Sequence, residues 1–301
     1  MEYHIITSPH KFGIKNDLDK LFLPLMLNSL KISNPNAVIT FPNTNDFSID
    51  VPGIIDLPIN EKEVIGLEEL RKVYVHFSRN PHDFELACFE RFFILRHVLR
   101  LYKIKSFYTI ESDSLVFERI NLIHENLNFP DNKTLLADKK CISIGYLTED
   151  FLENFCEGVL RAYKSAHIVN YMKGWFDDWV ANDNLGGICD MSFCKSLTTG
   201  WLGQEIMEID DFGTPYVINN KKRVFDTFII NDTLLDHDER KIIMTTSQFD
   251  GTPLKKVNHD NNGSYICFED GERVYLNSIH CHGPIKKLMS YLFFDHFHFK
   301  N

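Results

Sequence analysis

Ser106-Phe107-Tyr108-Thr109-Ile110-Glu111-Ser112-Asp113 is the stretch on which the fold turns. Residues 106–110 read as a short buried strand, and two carboxylates follow at i and i+2 just past its end. Upstream, Asn80-Pro81 is a helix start: Asn80 can cap and Pro81 fits the first turn, with the helix running to about residue 102. Residues 3–7 and 37–41 read as strands, with a helical stretch at about 18–30 between them. Downstream, 148–163 reads as an amphipathic helix and 171–180 as a Trp-rich one. This alternation predicts an α/β protein with a mainly parallel, mixed sheet flanked by helices. Ligands of open α/β sheets bind beyond the carboxyl ends of the strands, which is where the acid triplet stands.

The bulk numbers narrow the classes. The chain has 301 residues, 44% hydrophobic and 13% aromatic, enough for a large core. It contains no repeat, low-complexity tract or Pro/Ser-rich linker, so one domain spanning 1–301 is expected. No apolar run approaches the roughly 20 residues of a membrane span; residues 21–27 are apolar but short, and Pro24 interrupts them. The first residues, Met1-Glu2-Tyr3-His4-Ile5, lack the basic-then-apolar pattern of a signal peptide. Seven cysteines, mostly among apolar neighbours, suit free thiols in a reducing, cytoplasmic setting better than a disulfide framework. A formal net charge of −10 disfavours nucleic acid or an anionic membrane as main partner. A diphosphate remains compatible, because a few local cations or a divalent metal can hold it.

Three groups of residues carry candidate chemistry. Glu111 and Asp113 can share one hard cation, Mg²⁺ or Mn²⁺, together with phosphate oxygens; the same triplet also suits a solvated turn or a helix cap. Arg91 lies within the apolar stripe Phe84, Ala87, Cys88, Ile94, Leu95 and Val98 of the preceding helix. A guanidinium facing a core needs a partner. Glu111 and Asp113 on the next strand are expected to supply it, the alternatives being Glu90, Glu85 or the helix edge. The third group is His280-Cys281-His282-Gly283-Pro284-Ile285-Lys286-Lys287, delivered by a β-hairpin whose strands, 265–268 and 273–276, flank Asp270-Gly271. A His there can complete a metal shell, Gly lets backbone approach a phosphate, and Lys can neutralise it. A structural role for the His pair is as tenable. His296 and His298 read as part of a terminal element. Trp175, Trp179 and Trp201 can stack on sugar rings, although Trp at helical spacing is more often core.

Taken in order, these motifs resemble GT-A fold glycosyltransferases, especially the glycogenin and bacterial galactosyltransferase kind. Cys88-Phe89-Glu90-Arg91-Phe92 matches the Arg on the helix before the metal strand. Glu111-Ser112-Asp113 stands where the family has Asp-x-Asp, its first acid departing. Ile142-Ser143-Ile144-Gly145 resembles the small-residue strand that follows, and Asp183-Asn184 the acid–amide pair at the acceptor side. His280, Gly283 and Lys286 fit His-x-x-Gly-x-x-Lys, but Lys287-Leu288 replaces the usual Pro-Trp.

The resemblance implies a nucleotide-sugar donor, UDP-sugar above all, a glycan or other hydroxyl acceptor, and Mn²⁺ or Mg²⁺ as cofactor. Asp113 and His280 would bind the metal, with Glu111 adding to metal or ribose. Thr7, Ser8, Arg91, Glu111, Ser112, Gly283 and Lys286 form the expected donor side, Arg91 as support of the acids. Asp183 and Asp190 are the catalytic candidates, and Asp190 serves equally as a helix N-cap for 191–197. The donor half would cover about 1–145 and the acceptor half with the closing segment about 146–301. A sugar nucleotidyltransferase and a non-catalytic carbohydrate-binding relative are the alternatives. The poor Gly-rich loop at Ser8-Pro9-His10-Lys11-Phe12-Gly13 speaks against the first.

Overall fold

The architecture comes from a computed structural model that describes residues 3–9, 17–44, 48–127, 129–137, 139–202, 206–211, 215–226, 241–247, 251–281 and 283–299. In chain order the elements are β1 (Tyr3–Ile6), α1 (Asp17–Ser33), β2 (Ala37–Asn43), β3 (Ile54–Pro58), α2 (Leu67–Val73), α3 (His82–Tyr102), β4 (Ser106–Ile110) and β5 (Ser114–Val116). There follow α4 (Leu122–Leu127), β6 (Thr134–Ala137), β7 (Cys141–Thr148), α5 (Glu149–Lys164), α6 (Ala166–Ala181), α7 (Asp190–Thr199) and β8 (Ile209–Asp211). The last part holds β9 (Tyr216–Ile218), β10 (Lys221–Asp226), β11 (Met244–Thr246), β12 (Pro253–Lys255), β13 (Asn258–Asp260), β14 (Gly263–Cys267), β15 (Arg273–His280) and α8 (Met289–Phe299).

The main sheet has seven strands in the order β3-β2-β1-β4-β7-β6-β8. It is the mixed, mainly parallel sheet flanked by helices that the sequence predicts, with β7 running against both its neighbours. Strand alternation divides the core in two. Ile5, Tyr108 and Leu135 face a cluster shared with α1 and α8. Their neighbours Ile6, Phe107 and Leu136 face the opposite cluster, built from α3, α5 and α7.

A second, six-stranded sheet, β13-β14-β15-β10-β9 with β5 paired to the last residues of β15, lies beyond the acid triplet. Its hairpin is the expected one, turning at Gly271 with φ +89°, but β15 is longer than predicted and continues to His280. Antiparallel pairing sets His280 opposite Ser114 and Ile279 opposite Leu115. The chain leaves β4, passes the acids, and enters the second sheet within four residues. One short strand therefore clamps the far end of the chain against the end of β4.

Two helix expectations need correction. Pro81 is the N-cap residue of α3, without a side-chain cap, and Asn80 instead donates to Glu85 Oε1 at 2.6 Å. Phe84 is 45% exposed and lies off the buried stripe, which runs through Phe89, Phe92, Phe93, Leu95, Val98 and Leu99. In the first turn of α3 the inward position belongs to Glu85, 1% exposed, and Phe84 beside it faces outward. The Trp-rich stretch lies at the edge of the core: Met172 is the one fully buried residue of α6, and Trp175 and Phe176 pack partly buried against the second cluster.

The segment between α6 and α7 is pinned by a bridge between Ser78 and Gly187, with Ile188 N donating to Phe77 O at 2.8 Å. A Cβ on Gly187 would stand 2.3 Å from Phe77 O, whereas one on Gly174, in exposed α6, would meet nothing within 4 Å. Gly187→Ala should therefore cost about 1–3 kcal/mol of stability. Gly174→Ala should gain roughly 0.5–1 kcal/mol, because the helix loses its flexible residue. Urea titrations of the two variants should move in opposite directions.

Candidate functional site

The strand end positions the acids through backbone contacts. Glu111 N donates to Ser143 O of β7 at 3.0 Å, and Ser114 N returns to Glu111 O at 3.2 Å, closing a tight turn around the triplet. Ser8 N, just past β1, donates to Ile110 O at 2.8 Å, which sets the loop after the first strand beside the acids. Thr7 and Ser8 are both buried there.

Glu111, Asp113 and His280 each turn one ligand atom inward, and these atoms all lie within 4.8 Å of one another. His280 Nε2 is 3.0 Å from Asp113 Oδ1 and 3.4 Å from Glu111 Oε2. Lys286, in a 3₁₀ turn at Gly283–Leu288, places Nζ 2.9 Å from Asp113 Oδ2. The backbone closes the same contact, with Cys281 N donating to Asp113 O at 2.8 Å. Burial pushes the Asp113 carboxyl up, but His280 and Lys286 outweigh it and hold the group well below the usual carboxylate range. Asp113 is thus a carboxylate at any physiological pH. Two carboxylates and one imidazole form a donor set that fits Mn²⁺ or Mg²⁺.

Arg91 joins this cluster from α3. Its Nη1 pairs with Glu111 Oε1 and its Nη2 with Asp190 Oδ2, and the side chain is 12% exposed. The pairing to the triplet is the one inferred from the helix stripe; of the alternatives, Glu90 pairs with Arg71 and Glu85 with Ser78 and Asn80. No signal in the sequence points to Asp190 as the second partner. Asp190 is the first residue of α7, after Cys189 at the N-cap, so its expected cap role falls one residue earlier. Burial raises the Asp190 carboxyl above its ordinary value, with Arg91 opposing, while the two carboxylates hold Arg91 protonated against its own desolvation. Burial also pushes the nearby Cys141 and Cys189 thiols up to about 12, so neither is a thiolate nucleophile. All seven cysteines are free.

Asp183 is placed differently. It occupies the exposed turn after α6 with φ +57°, its side chain 94% exposed and 2.9 Å from Arg79 Nη1. Ser112 is partly buried between the two acids, and Gly283 opens the turn that carries Lys286. His282, residues 10–13 and the side chain of His298 lie outside the described residues. His296 is buried in α8, hydrogen-bonded to Ser264 and packed on Phe117 at 4.5 Å.

Comparison with known proteins sets this geometry beside solved folds. No family model and no curated protein matches the sequence. The solved structures similar in chain path include glycosyltransferases. The apo form of mouse xyloside xylosyltransferase 1 shares 10% identity over 69% of this chain and 86% of that one, with a TM-score of 0.42. The galactosyltransferase LgtC, in complex with donor and acceptor sugar analogues, shares 8% identity over 98% and 96%, also at 0.42. A glycosyltransferase involved in glycosylation of the major capsid of PBCV-1 shares 12% over 55% and 68%, at 0.30. Likeness at this level concerns the path of the chain, and the chemistry has to be read from the residues.

The Arg91 fork has a measurable pH signature. Arg91→Met strands two carboxylates in a buried setting, at a cost of roughly 3–5 kcal/mol near neutral pH. Without Arg91, burial and the Glu111 charge act on Asp190 with only the Met191 backbone N–H opposing them, so its folded pKa lies further above the unfolded value. The folded variant then binds the proton more tightly than the unfolded chain does. The cost is absent below the unfolded carboxylate pKa and grows as pH rises through the folded one. Thermal melts should show the gap between Arg91→Met and wild type narrowing from pH 8 to pH 5.

Proposed function

We propose that the protein is a divalent-metal-dependent glycosyltransferase that moves a sugar from a nucleotide-sugar donor, UDP-sugar in the first instance, to a hydroxyl of a glycan. The observation that carries this reading is the convergence of Glu111, Asp113 and His280 at the carboxyl end of β4, with the Lys286 ammonium on the outer oxygen of Asp113. Two carboxylates alone suit many solvated turns. Their union with an imidazole 167 residues away and a lysine beside it suits a cation that is itself holding a diphosphate.

In this reading Glu111, Asp113 and His280 hold Mn²⁺ or Mg²⁺. When bound, that ion supplies Lewis-acid stabilisation of the charge growing on the departing nucleoside diphosphate. Lys286 and the backbone at Gly283 take the phosphate oxygens. Ser112 lies on the nucleoside side, and Thr7 and Ser8, buried at the end of β1, shape the loop behind it. Arg91 holds Glu111 in place from behind, and Asp190 lies on the sugar side of the same fork. Asp183, on its exposed turn, belongs to the approach of the acceptor. The chain's own contribution is placement and fixed charge, the main resource of group transfer at a preorganised site.

Lys286 and a metal ion compete for one carboxylate, since both are drawn to Asp113. Calorimetry can separate their roles. Asp113→Ala should abolish Mn²⁺-dependent binding of UDP while the fold survives. Lys286→Met should weaken UDP binding about tenfold or more, yet tighten Mn²⁺ binding measured alone, because Asp113 is then uncontested. Unchanged UDP affinity in Asp113→Ala with Mn²⁺ present would remove the basis of the assignment.

A further inference from the structure

The chain contains three tryptophans, and the structure gathers all of them into one partly buried patch, in which Trp175 and Trp201 pack on the edge of the cluster of α3, α5 and α7. Trp175 and Trp179 of α6 stack with ring centroids 4.7 Å apart and planes at 20°. Trp201, just beyond α7, meets Trp175 edge-on at 5.4 Å. Two of the indoles are tethered: Trp201 Nε1 donates to Tyr171 OH at 2.9 Å, and Trp179 Nε1 donates to Leu185 O at 2.8 Å. Met172 apart, every residue of α6 is at least partly exposed, and Tyr171 is 48% exposed. Large aromatic side chains on a solvent-facing helix are a cost unless something covers them. Here their orientations are also fixed in advance, so a ligand that stacks on them need not order them.

Charge decides among the occupants. A helix that lies on an anionic bilayer carries Lys and Arg on its polar side. On α6 the charged residues are Lys173, Asp177 and Asp178, and Lys173 is already paired with Asp177 at 2.6 Å. The patch is therefore neutral to slightly acidic, which repels phospholipid and nucleotide alike. A neutral polyhydroxyl ligand suits it. The C–H faces of pyranose rings stack on indole, while exposed carboxylates and amides beside them take hydroxyl hydrogen bonds.

We infer that the Trp175–Trp179–Trp201 patch is a glycan-binding platform, and that it holds the inner sugars of an extended neutral acceptor. This rests on the transferase reading above. The link to that site is α7, whose first residue is Asp190 beside Arg91 and whose far end leads to Trp201. Ten residues at 1.5 Å each make a helix of about 15 Å. An acceptor that reaches from the platform to the Asp190 end spans more than one sugar ring. The substrate class is thus an oligosaccharide or polysaccharide, and a monosaccharide acceptor would leave the platform unused.

Because the patch holds every tryptophan of the chain, intrinsic fluorescence reports on it directly. The probes are neutral tetrasaccharides of gluco, galacto, manno and xylo type in α and β linkage, titrated without nucleotide or metal. At least one series should shift the emission, and Trp175→Ala and Trp201→Ala should each weaken that binding about tenfold. Trp175→Phe should restore most of it, and the Mn²⁺-dependent affinity for UDP should stay at wild type in all three. As acceptor, the same saccharide should show a raised KM and unchanged kcat in Trp201→Ala. The inference is overturned if no tetrasaccharide shifts the emission. It is equally overturned if the emission responds only to phosphatidylglycerol vesicles, or only to self-association lost in Trp175→Ala. Saccharide binding that survives in a protein without UDP affinity would sink the transferase reading and leave the platform standing.

Discussion

A guanidinium that is nearly nine-tenths buried cannot stand alone, and the site is arranged around satisfying the one at Arg91. Its fork takes Glu111 from the end of β4 on one side and Asp190 from the start of α7 on the other. The consecutive elements α3 and β4 and the distant α7 are thereby held at fixed separation by charge-assisted hydrogen bonds, among the strongest available to side chains. Removing the arginine leaves two carboxylates in a low-dielectric setting. Removing either acid leaves half a fork. The arrangement fixes Glu111 from behind and so leaves its other oxygen, 3.4 Å from His280 Nε2, facing Asp113 and His280.

The second constraint is the pairing of β5 with β15. Asp113 and His280 are brought together because Ser114 and His280 are register partners. Asp113 is one residue before that strand pair begins, and its carbonyl closes the pair by accepting from Cys281. The fold thus converts a hairpin near the end of the chain into the second wall of a site whose first wall is the main sheet. Lys286 follows in the next turn, and this is how a lysine comes to stand on the outer oxygen of Asp113. Among the described residues, the site sets the carboxylates of Glu111, Asp113 and Asp190 against the fixed cations Arg91 and Lys286, a balance that favours one further positive charge.

Much of this was legible in the sequence because it follows from local rules. The strand 106–110, the acids at its end and the buried arginine on the preceding helix all follow from periodicity and the cost of burying charge. The hairpin at Asp270-Gly271 follows from turn chemistry. What escaped is what depends on tertiary approach. Nothing local marks Asp190 as the partner of Arg91, since 99 residues separate them. Phe84 fits the helical period, yet it is exposed while Glu85, in the same turn, takes the buried position. Trp175 and Trp179 have the i,i+4 spacing of a buried stripe, but both are only partly buried, Trp175 packing at the edge of the cluster of α3, α5 and α7, so the same pattern lies where core meets solvent. Periodicity reports which side chains share a face; it does not report whether that face is covered.

The central claim is that one divalent cation sits between Glu111, Asp113 and His280 and carries a diphosphate held also by Lys286. Crystals of the protein grown with Mn²⁺ and UDP test it directly through anomalous scattering at the manganese edge. The account predicts one strong peak about 2.0–2.2 Å from His280 Nε2 and from a carboxylate oxygen of Asp113, with diphosphate oxygens completing the shell and Lys286 Nζ moved onto them. A peak elsewhere on the molecule, or UDP bound with no metal beside Asp113, would contradict it.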